Sequence, residues 1–327
     1  MSLAIMPLNF NHLIECVDYK EETEDIIRKF ERKEDFVYYT SGSTGKPKKI
    51  VHSYELMKMV AEENCRYNNY DKHDYIVNMS LPAASIGYPV LSVLPALMMK
   101  CSLKIRAFNP YDYLDEIQNA THAFILPAVY RVLKNTDKWK NFDFTNMTIS
   151  CGADIVPEGI KEDVLSKGAK KFHHLYGSTE VPPAISNSED ERQIGQNLSP
   201  LIDHYVEEKE LFIKWKMQDV FWQSGDVVDD DLKVVGRKKN ILALNCSRIH
   251  PETIERHVLD NTNANRCMLT IKNDKVWLYF DGNEEKSIVK DCVQEWFVNS
   301  SVIVRKVEKI EVNKMNKIIR TTSYDNC

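Results

Sequence analysis

The sequence lacks several features that mark specialised classes of protein. Its eight cysteines include no CxxC pair, which in a chain of 327 residues favours reduced thiols over a disulfide framework or a zinc site. No apolar run reaches the ~20 residues of a membrane span, and the longest candidate, residues 88–99, fits a buried helix. The net charge of −5 argues against a protein that binds nucleic acid.

A signal peptide is also not apparent, because the N-terminal residues have no basic stretch followed by a long apolar core. Together with the unpaired cysteines, this predicts a cytoplasmic protein. The hydrophobic content of 43% and the charged content of 28% are ordinary for a globular chain. Its length allows two domains of roughly 150 residues each.

The stretch 40–49, Thr-Ser-Gly-Ser-Thr-Gly-Lys-Pro-Lys-Lys, follows a predicted strand at 36–39. Its two glycines, Gly42 and Gly45, let backbone N–H groups converge, while hydroxyls and lysines add donors and positive charge. This composition suits a polyphosphate. It is not a Walker A loop, because only two residues separate the glycines and Pro47 replaces the final Ser/Thr. A flexible surface loop is the alternative.

Helices are predicted around Ile26-Ile27 and after Ser53 as N-cap, and His52 before that cap is expected to have a structural hydrogen-bonding role. Short apolar strands, such as 123–126, alternate with helical segments through residue 176, which predicts βα units and a mostly parallel sheet. Ligands of such sheets lie beyond the carboxyl ends of the strands. Five loops are therefore expected at one crevice, those after Tyr39, Met79, Leu126, Ser150 and Tyr176. The segment 176–180, Tyr-Gly-Ser-Thr-Glu, places a carboxylate beside hydroxyls, as a bridging Mg²⁺ requires; an ordinary turn is an equal alternative.

From residue 193 the sequence alternates like antiparallel strands, and after Lys238-Lys239 it predicts helices from Pro251 and Lys286 and a hairpin over Asn273-Asp274. We predict an α/β protein with a large N-terminal domain, residues 1–236, made of a parallel-sheet core and a small β-rich part. A small mobile α+β domain, residues 237–327, follows it.

Six motifs, in order across residues 38–320, resemble those of the AMP-forming adenylating enzymes: acyl- and aryl-CoA synthetases, peptide-synthetase adenylation domains and firefly luciferase. The motifs are the loop 40–48, Tyr-Gly-Ser-Thr-Glu at 176–180, Ser-Gly-Asp at 224–226, Gly-Arg-Lys-Lys-Asn-Ile at 236–241, His-Pro-x-x-Ile-Glu at 250–255 and Asn-Lys-Ile-Ile-Arg at 316–320.

The resemblance implies two steps. A carboxylate attacks the α-phosphate of ATP to give an acyl-adenylate and pyrophosphate, and a thiol, usually of CoA, then takes the acyl group. Lys317, Thr179 and Glu180 are the implied catalytic residues, with Mg²⁺ on Glu180. The implied nucleotide-binding residues are Thr40, Ser41, Gly42, Ser43, Thr44, Gly45, Lys48, Gly152, Ala153, Tyr176, Gly177, Ser178, Asp226 and Arg237. For Lys317, one more lysine in a basic tail is the alternative.

The resemblance also implies a rotation of the small domain about Lys239 and an acyl pocket formed by Ser85, Ile86, Gly87 and Val181. Only about 40 residues precede the loop, so the N-terminal subdomain is predicted to be truncated. In this the chain is similar to short o-succinylbenzoate–CoA ligases.

Asn245-Cys246 replaces a glycine pair that borders the pantetheine tunnel in relatives. This departure leaves open delivery to a carrier protein or an amine, and a non-catalytic adenylate-binding protein. The expected partners are a small carboxylic acid, a CoA or carrier-protein thiol and, in a homodimer, a second copy. No nucleic-acid partner and no membrane span are expected.

Overall fold

A computed structural model describes residues 13–41, 47–154, 156–186, 198–244, 247–273, 275–297, 300–312, 318–320 and 324. The chain divides into two compact units. One comprises residues 1–125, 143–151 and 164–185, and the other comprises 126–142, 152–163 and 186–327. The boundary between residues 236 and 237 stays a prediction. Among the described helices, none is long and apolar enough to span a bilayer.

The strands in this part of the chain are β1 Ile14–Cys16, β2 Phe36–Ser41, β3 Pro47–His52, β4 Tyr75–Asn78, β5 Ser102–Ile105, β6 His122–Phe124, β7 Thr148–Gly152, β8 Lys171–Tyr176, β9 Ala184–Ser186, β10 Ile202–Glu207, β11 Glu210–Trp215, β12 Trp222–Val228, β13 Val234–Arg237, β14 Leu242–Leu244, β15 Ser247–Ile249, β16 Ala264–Lys272, β17 Lys275–Gly282 and β18 Val302–Lys306. The α-helices are α1 Lys20–Arg32, α2 Tyr54–Asn68, α3 Leu94–Met99, α4 Tyr113–Ile117, α5 Pro127–Leu133, α6 Asp137–Lys140, α7 Ile160–Ser166, α8 Pro251–Asn261 and α9 Lys286–Gln294.

The first unit is built around a seven-stranded sheet in the order β1-β5-β4-β6-β7-β8-β9. The pairs β1–β5, β5–β4, β4–β6 and β6–β7 are parallel, which confirms the predicted α/β class. Every residue of β7 is buried, as expected for a strand covered on both faces.

The prediction that β2 belongs to this parallel sheet is wrong. β2 pairs antiparallel with β3 in a separate two-stranded sheet, with Phe36 opposite His52 and Ser41 opposite Pro47. The physical reason is the length of the connection. Only five residues separate the two strands, whereas a parallel neighbour needs a crossover of about a dozen or more.

Local signals place the start of helix α2. The side chain of Ser53 accepts a hydrogen bond from the Leu56 amide at 3.2 Å, which confirms Ser53 as the predicted N-cap. The same helix buries Leu56, Met57 and Val60. The amphipathic helix predicted around Ile26 is also confirmed, as α1.

The helix predicted over residues 88–99 is present in a different form, because Pro89–Val93 is a π-helix that leads into α3. Pro95 lacks the N–H that would continue an α-helical ladder. The Asn64 side chain donates to the Val90 carbonyl oxygen at 3.2 Å, which supplies a partner for the irregular turn. The strand predicted at 123–126 also ends earlier, at Phe124, and Pro127 begins α5.

The second unit contains a four-stranded antiparallel meander, β10-β11-β12-β13, as the alternating sequence predicts. A three-stranded sheet follows, in which β16 and β17 form the expected hairpin and β17 pairs parallel with β18. Apolar residues of α8, α9 and this sheet form one core that includes Val258, Leu278 and Val289.

Candidate active site

The turn after strand β8 holds the predicted residues Thr179 and Glu180. The Ser178 hydroxyl accepts hydrogen bonds from the amides of Glu180 and Val181, both at 3.1 Å. The Ser178 amide donates to the Val181 carbonyl oxygen at 2.8 Å. These three bonds close residues 178–181 into a compact loop, so the positions of Thr179 and Glu180 are set by local hydrogen bonds as well as by the strand.

Gly177 has a steric reason to be glycine. A Cβ at this position would lie 2.5 Å from the Cα and 2.8 Å from the nitrogen of Pro183. Both are backbone atoms, which cannot rotate away as the end of a side chain does. The chain beyond the turn therefore packs directly on the Gly177 backbone.

His52 fixes the same turn from outside. Its Nε2 lies 2.6 Å from the Thr179 carbonyl oxygen. Burial lowers the pKa of His52, while the Thr179 hydrogen bond and the Glu180 charge partly oppose that shift. The ring is therefore neutral at pH 7, and because a carbonyl oxygen only accepts, the single N–H is on Nε2. A structural hydrogen-bonding role was the expectation for this histidine, but its partner was not predicted.

The predicted phosphate loop is only partly within the described residues. Thr40 and Ser41 end strand β2, and Lys48 lies in β3 with an exposed side chain. Gly42, Ser43, Thr44 and Gly45 lie outside the described residues, so their role stays a prediction.

The residues predicted for the acyl pocket in the first unit are buried. The Ser85 hydroxyl accepts a hydrogen bond from the Tyr88 amide at 3.3 Å, at the start of the π-helix. Gly87 lies close to Leu91, whose Cδ1 would be 3.3 Å from a Cβ added there. Ile86 and Val181 are apolar and 5% and 1% exposed.

Asp226 and Arg237, in the second unit, come together as an ion pair. They lie opposite each other in strands β12 and β13, and Arg237 Nε is 2.9 Å from Asp226 Oδ1. The Asp226 carboxylate is buried, and its amide donates to the Ser224 hydroxyl at 2.9 Å. A fixed buried carboxylate of this kind suits the two hydroxyls of a ribose.

The remaining predicted residues of the second unit are placed as follows. Gly152 ends strand β7, and Ala153 has a φ of 70°, in the left-handed region that non-glycine residues seldom adopt. Lys239 is exposed, in the 3₁₀ turn Lys238–Asn240. Lys317 and the Asn245-Cys246 pair lie outside the described residues.

The described residues contain no group of three or more His, Cys, Asp or Glu side chains arranged to hold a metal ion. In nucleotide sites Mg²⁺ is usually bound through one or two carboxylates and the phosphates. Glu180, in the fixed turn, is the carboxylate that the sequence predicts for it.

Residues 13–211, more than half of the chain, match the family described as AMP-binding enzyme. The chain belongs to the AMP-binding enzyme family. The matched region includes the predicted phosphate loop and the turn at residues 177–181, and it ends before Asp226 and Arg237.

Two of the curated relatives of this AMP-binding enzyme are CoA ligases. It is 22% identical over 264 residues to the 2-succinylbenzoate–CoA ligase of Haemophilus influenzae, covering 72% of this chain and 56% of the relative. It is 23% identical over 282 residues to the indoleacetate–CoA ligase of Aromatoleum aromaticum, covering 74% and 55%. The chain thus spans about half the length of these relatives.

Solved structures share the fold. ATP-bound MatB from Rhodopseudomonas palustris superposes with a TM-score of 0.71 at 17% identity, covering 86% of this chain and 66% of MatB. The anthranilate CoA ligase AuaEII, in complex with anthranoyl-AMP, gives 0.74 at 13% identity, covering 88% and 65%. These similarities show that the chain has the fold of adenylate-forming enzymes.

Glu210 contacts residues next to Asp226 and Arg237, and no pattern in the sequence predicted this role. It is 3% exposed, and its carboxylate accepts hydrogen bonds from Lys238 Nζ at 2.7 Å, Gln223 Nε2 at 2.9 Å and the Gly225 amide at 3.1 Å. Burial would raise the pKa of Glu210, but these hydrogen bonds outweigh burial and lower it. Glu210 thereby ties the strand of Asp226 to the residue before Lys239.

Arg320 and Glu255 form a second unpredicted contact. Arg320 donates to Glu255 through Nη1 at 2.8 Å and Nη2 at 2.6 Å. Both residues belong to motifs that resemble those of the family, but the sequence does not predict that the two motifs are in contact. The pair connects helix α8 to the chain three residues after Lys317.

A Gly177→Ala variant of this AMP-binding enzyme is expected to fold less stably by ~1–3 kcal/mol, because the added methyl group has no space beside Pro183. The turn must move to admit it, so any activity that uses Thr179 and Glu180 falls as well. Thermal denaturation measures the first effect. Gly159→Ala is the comparison variant: its Cβ would meet nothing within 4 Å but its φ of 77° strains any side chain, so it measures backbone strain without a steric clash. Equal stability of the Gly177 variant and the wild type would contradict the prediction.

Proposed function

We propose that the protein is an AMP-forming acyl-CoA ligase. It activates a carboxylate with ATP to an acyl-adenylate, releases pyrophosphate and transfers the acyl group to the thiol of CoA. The observation that carries the proposal is the fixed turn around Thr179 and Glu180, within the region that matches the AMP-binding family.

The chemistry asks for neutralisation of charge more than for a general base, because a carboxylate is already ionised at pH 7. We assign the α-phosphate to Thr179, Mg²⁺ to Glu180 and the ribose hydroxyls to Asp226. Bound Mg²⁺ would offset the negative charge of the phosphates. Support for the Asp226 role comes from its burial and from the Arg237 partner, which keeps the carboxylate in one orientation.

Three groups complete the proposed nucleotide site. Residues 40–48 take the β- and γ-phosphates through backbone N–H groups, hydroxyls and lysines. Residues at the carboxyl ends of β7 and β8 lie along the nucleoside, namely Gly152, Ala153, Tyr176, Gly177 and Ser178. Lys317 neutralises charge on the reacting oxygens, and the small domain that carries it turns about Lys239.

For the acyl substrate we propose an aromatic or otherwise partly apolar acid of modest size, similar to 2-succinylbenzoate. The buried, mostly apolar set of Ser85, Ile86, Gly87 and Val181 supports this class. Two relatives named for aromatic acids, a 2-succinylbenzoate–CoA ligase and an indoleacetate–CoA ligase, support the same class. A homodimer stays a prediction.

A second candidate is an enzyme that passes the acyl group to a carrier protein or an amine. Its support is Asn245-Cys246, which replaces the glycine pair expected beside the pantetheine of CoA. The D-alanine–D-alanyl carrier protein ligase of Lacticaseibacillus rhamnosus is 22% identical over 159 residues, covering 46% of this chain and 31% of the relative. A non-catalytic adenylate-binding protein is the third candidate.

ATP–pyrophosphate exchange with a panel of carboxylic acids tests the function. We expect exchange that depends on Mg²⁺ and is fastest with an aromatic acid, followed by consumption of CoA thiol in the presence of that acid. Exchange without consumption of CoA would overturn the CoA-ligase proposal in favour of a carrier protein or an amine. AMP binding without exchange for any acid would favour the non-catalytic protein.

A further inference from the structure

The peptide that joins Thr179 to Glu180 is held on its carbonyl side by His52. This contact links residues 127 positions apart in the sequence. On the other side, the amide of the same peptide donates to Ser178 Oγ at 3.1 Å. Because a peptide unit is planar, bonds to its oxygen and its nitrogen together fix its rotation, and with it ψ of Thr179 and φ of Glu180.

His52 is suited to such a task because its own position is fixed. It is the last residue of β3, paired with Phe36 at the base of the β2–β3 hairpin, and Ser53, the N-cap of helix α2, follows it. The imidazole is 3% exposed, and its centroid lies 6.2 Å from that of the Tyr38 ring. A group on a strand end and against a helix start is held more rigidly than one on a loop.

We propose that His52 is a positioning residue for the Mg²⁺–nucleotide site, and that its Nε2–H orients the Thr179–Glu180 peptide so that both side chains face the phosphates. The inference rests on the proposed use of ATP and deepens it. His52 makes no contact with the reacting atoms in this role; it acts through the direction in which the Thr179 hydroxyl and the Glu180 carboxylate are presented.

A merely structural role for His52 predicts a different result. If the ring only fills space in the core, an aromatic ring of similar size preserves function, and the loss of the hydrogen bond appears as lower stability alone. If Nε2–H orients the peptide, a residue that keeps an N–H donor at that reach preserves function better than a ring does. Phenylalanine and glutamine at position 52 separate the two roles.

His122 provides a matched control in the same unit. It is also buried, at 6% exposed, and its Nε2 lies 3.3 Å from a backbone carbonyl oxygen, that of Asn68. His122→Phe and His122→Gln therefore make the same substitutions in β6, away from the Thr179 turn in the sheet, although His122 Nδ1 also lies 2.9 Å from Thr121 Oγ1 and 3.6 Å from Asp74 Oδ1. Melting temperatures are measured for all four variants, so that stability and function are compared directly.

The readout is the KM for MgATP and the Mg²⁺ dependence of pyrophosphate exchange, with the affinities for MgATP and for ATP in EDTA measured separately. We expect His52→Phe to raise the KM for MgATP roughly 10- to 100-fold, the usual effect of losing a residue that orients a metal ligand. His52→Gln is expected to recover most of that loss. Both His122 variants are expected to keep the wild-type KM.

An unchanged KM in His52→Phe, with a lower melting temperature like that of His122→Phe, would overturn the positioning role. So would a glutamine variant no better than the phenylalanine variant. If the wild type binds MgATP but catalyses no exchange, the ligase proposal fails. The role of His52 is then still decided by comparing the ratio of MgATP affinity to ATP affinity between the wild type and the His52 variants. A wild type that binds no MgATP overturns both proposals.

Discussion

Replacing Lys317 by alanine is expected to lower the rate of ATP–pyrophosphate exchange by about 10²–10³-fold while ATP binding is retained. The reason is electrostatic: an ammonium group placed at developing negative charge stabilises the transition state more than the bound substrates. In the proposed function, the residues that bind ATP are elsewhere in the chain, so the affinity for ATP is expected to change little.

Lys317 lies outside the described residues, but the described chain on each side of it is held by hydrogen bonds. Val312 and Ile318 form an antiparallel bridge, and the Ile319 amide donates to the Glu311 carbonyl oxygen at 3.0 Å. Arg320 is then fixed to helix α8 by Glu255. The chain that immediately follows Lys317 is therefore anchored, and the position of Lys317 itself stays a prediction.

Two variants sharpen the Lys317 experiment. Lys309→Ala removes an exposed lysine from the same basic region and is expected to leave exchange unchanged. Lys317→Arg keeps the charge but not the compact ammonium geometry, so partial activity is expected. If the small domain turns about Lys239 after the first step, Lys317→Ala should still transfer an acyl group from a supplied acyl-adenylate. Full exchange activity in Lys317→Ala would refute its catalytic role.

The sequence was most informative where structure depends on neighbouring residues. Ser53 was predicted as an N-cap because a hydroxyl before an apolar helical pattern satisfies a free amide. The hairpin of β16 and β17 followed from alternation on both sides of Asn273-Asp274. The parallel sheet followed from the repeated strand–helix order. The N-cap, the hairpin and the parallel sheet each depend on the periodicity of apolar residues or on a single turn, and both can be seen in one sequence.

Contacts between distant segments could not be predicted in the same way. Nothing near His52 indicates that its partner is the carbonyl oxygen of Thr179. Likewise, the sequence around Glu210 is that of an exposed acidic residue at the start of a strand. Only the fold brings Lys238 and the Gly225 amide into contact with it. Resemblance to a family predicts Asp226 and Arg237 as site residues, but the contacts that hold them in place could be found only in the structure.

The pairing of β2 with β3 depends on the length of the connection between them. The strand–helix order of the later segments predicts that the apolar run from Phe36 joins the parallel sheet. The five-residue connection to β3 excludes a crossover, and β2 accordingly pairs antiparallel. Loop length, which the sequence gives directly, decides the direction of pairing better than analogy with neighbouring strands.

Removing the carboxylate of Glu255 is expected to destabilise the second unit by ~3–5 kcal/mol, because Glu255→Ala leaves the Arg320 guanidinium without its main partner in a largely buried site. Burial raises the pKa of Glu255, and the bidentate contact with Arg320, at 2.8 and 2.6 Å, opposes that shift. Glu255 Oε1 also accepts a hydrogen bond from the Leu269 amide at 2.6 Å, so the variant loses a bond to strand β16 as well.

Urea unfolding followed by tryptophan fluorescence, with hydrogen exchange of the Leu269 amide, measures the effect of Glu255→Ala. The double variant Glu255→Leu/Arg320→Leu is expected to regain part of the loss, because the Arg320 charge is removed together with its main partner, although Glu252, 3.5 Å from Arg320, loses that neighbour. Recovery stays incomplete by ~1–3 kcal/mol, since the Leu269 amide still lacks an acceptor. Glu295→Ala, which removes a carboxylate with 70% side-chain exposure and a His257 neighbour, is the control and should change stability by less than ~1 kcal/mol. If Glu255→Ala is no more destabilising than that control, the ion pair does not stabilise the fold, and Arg320 cannot be the anchor of the segment that carries Lys317.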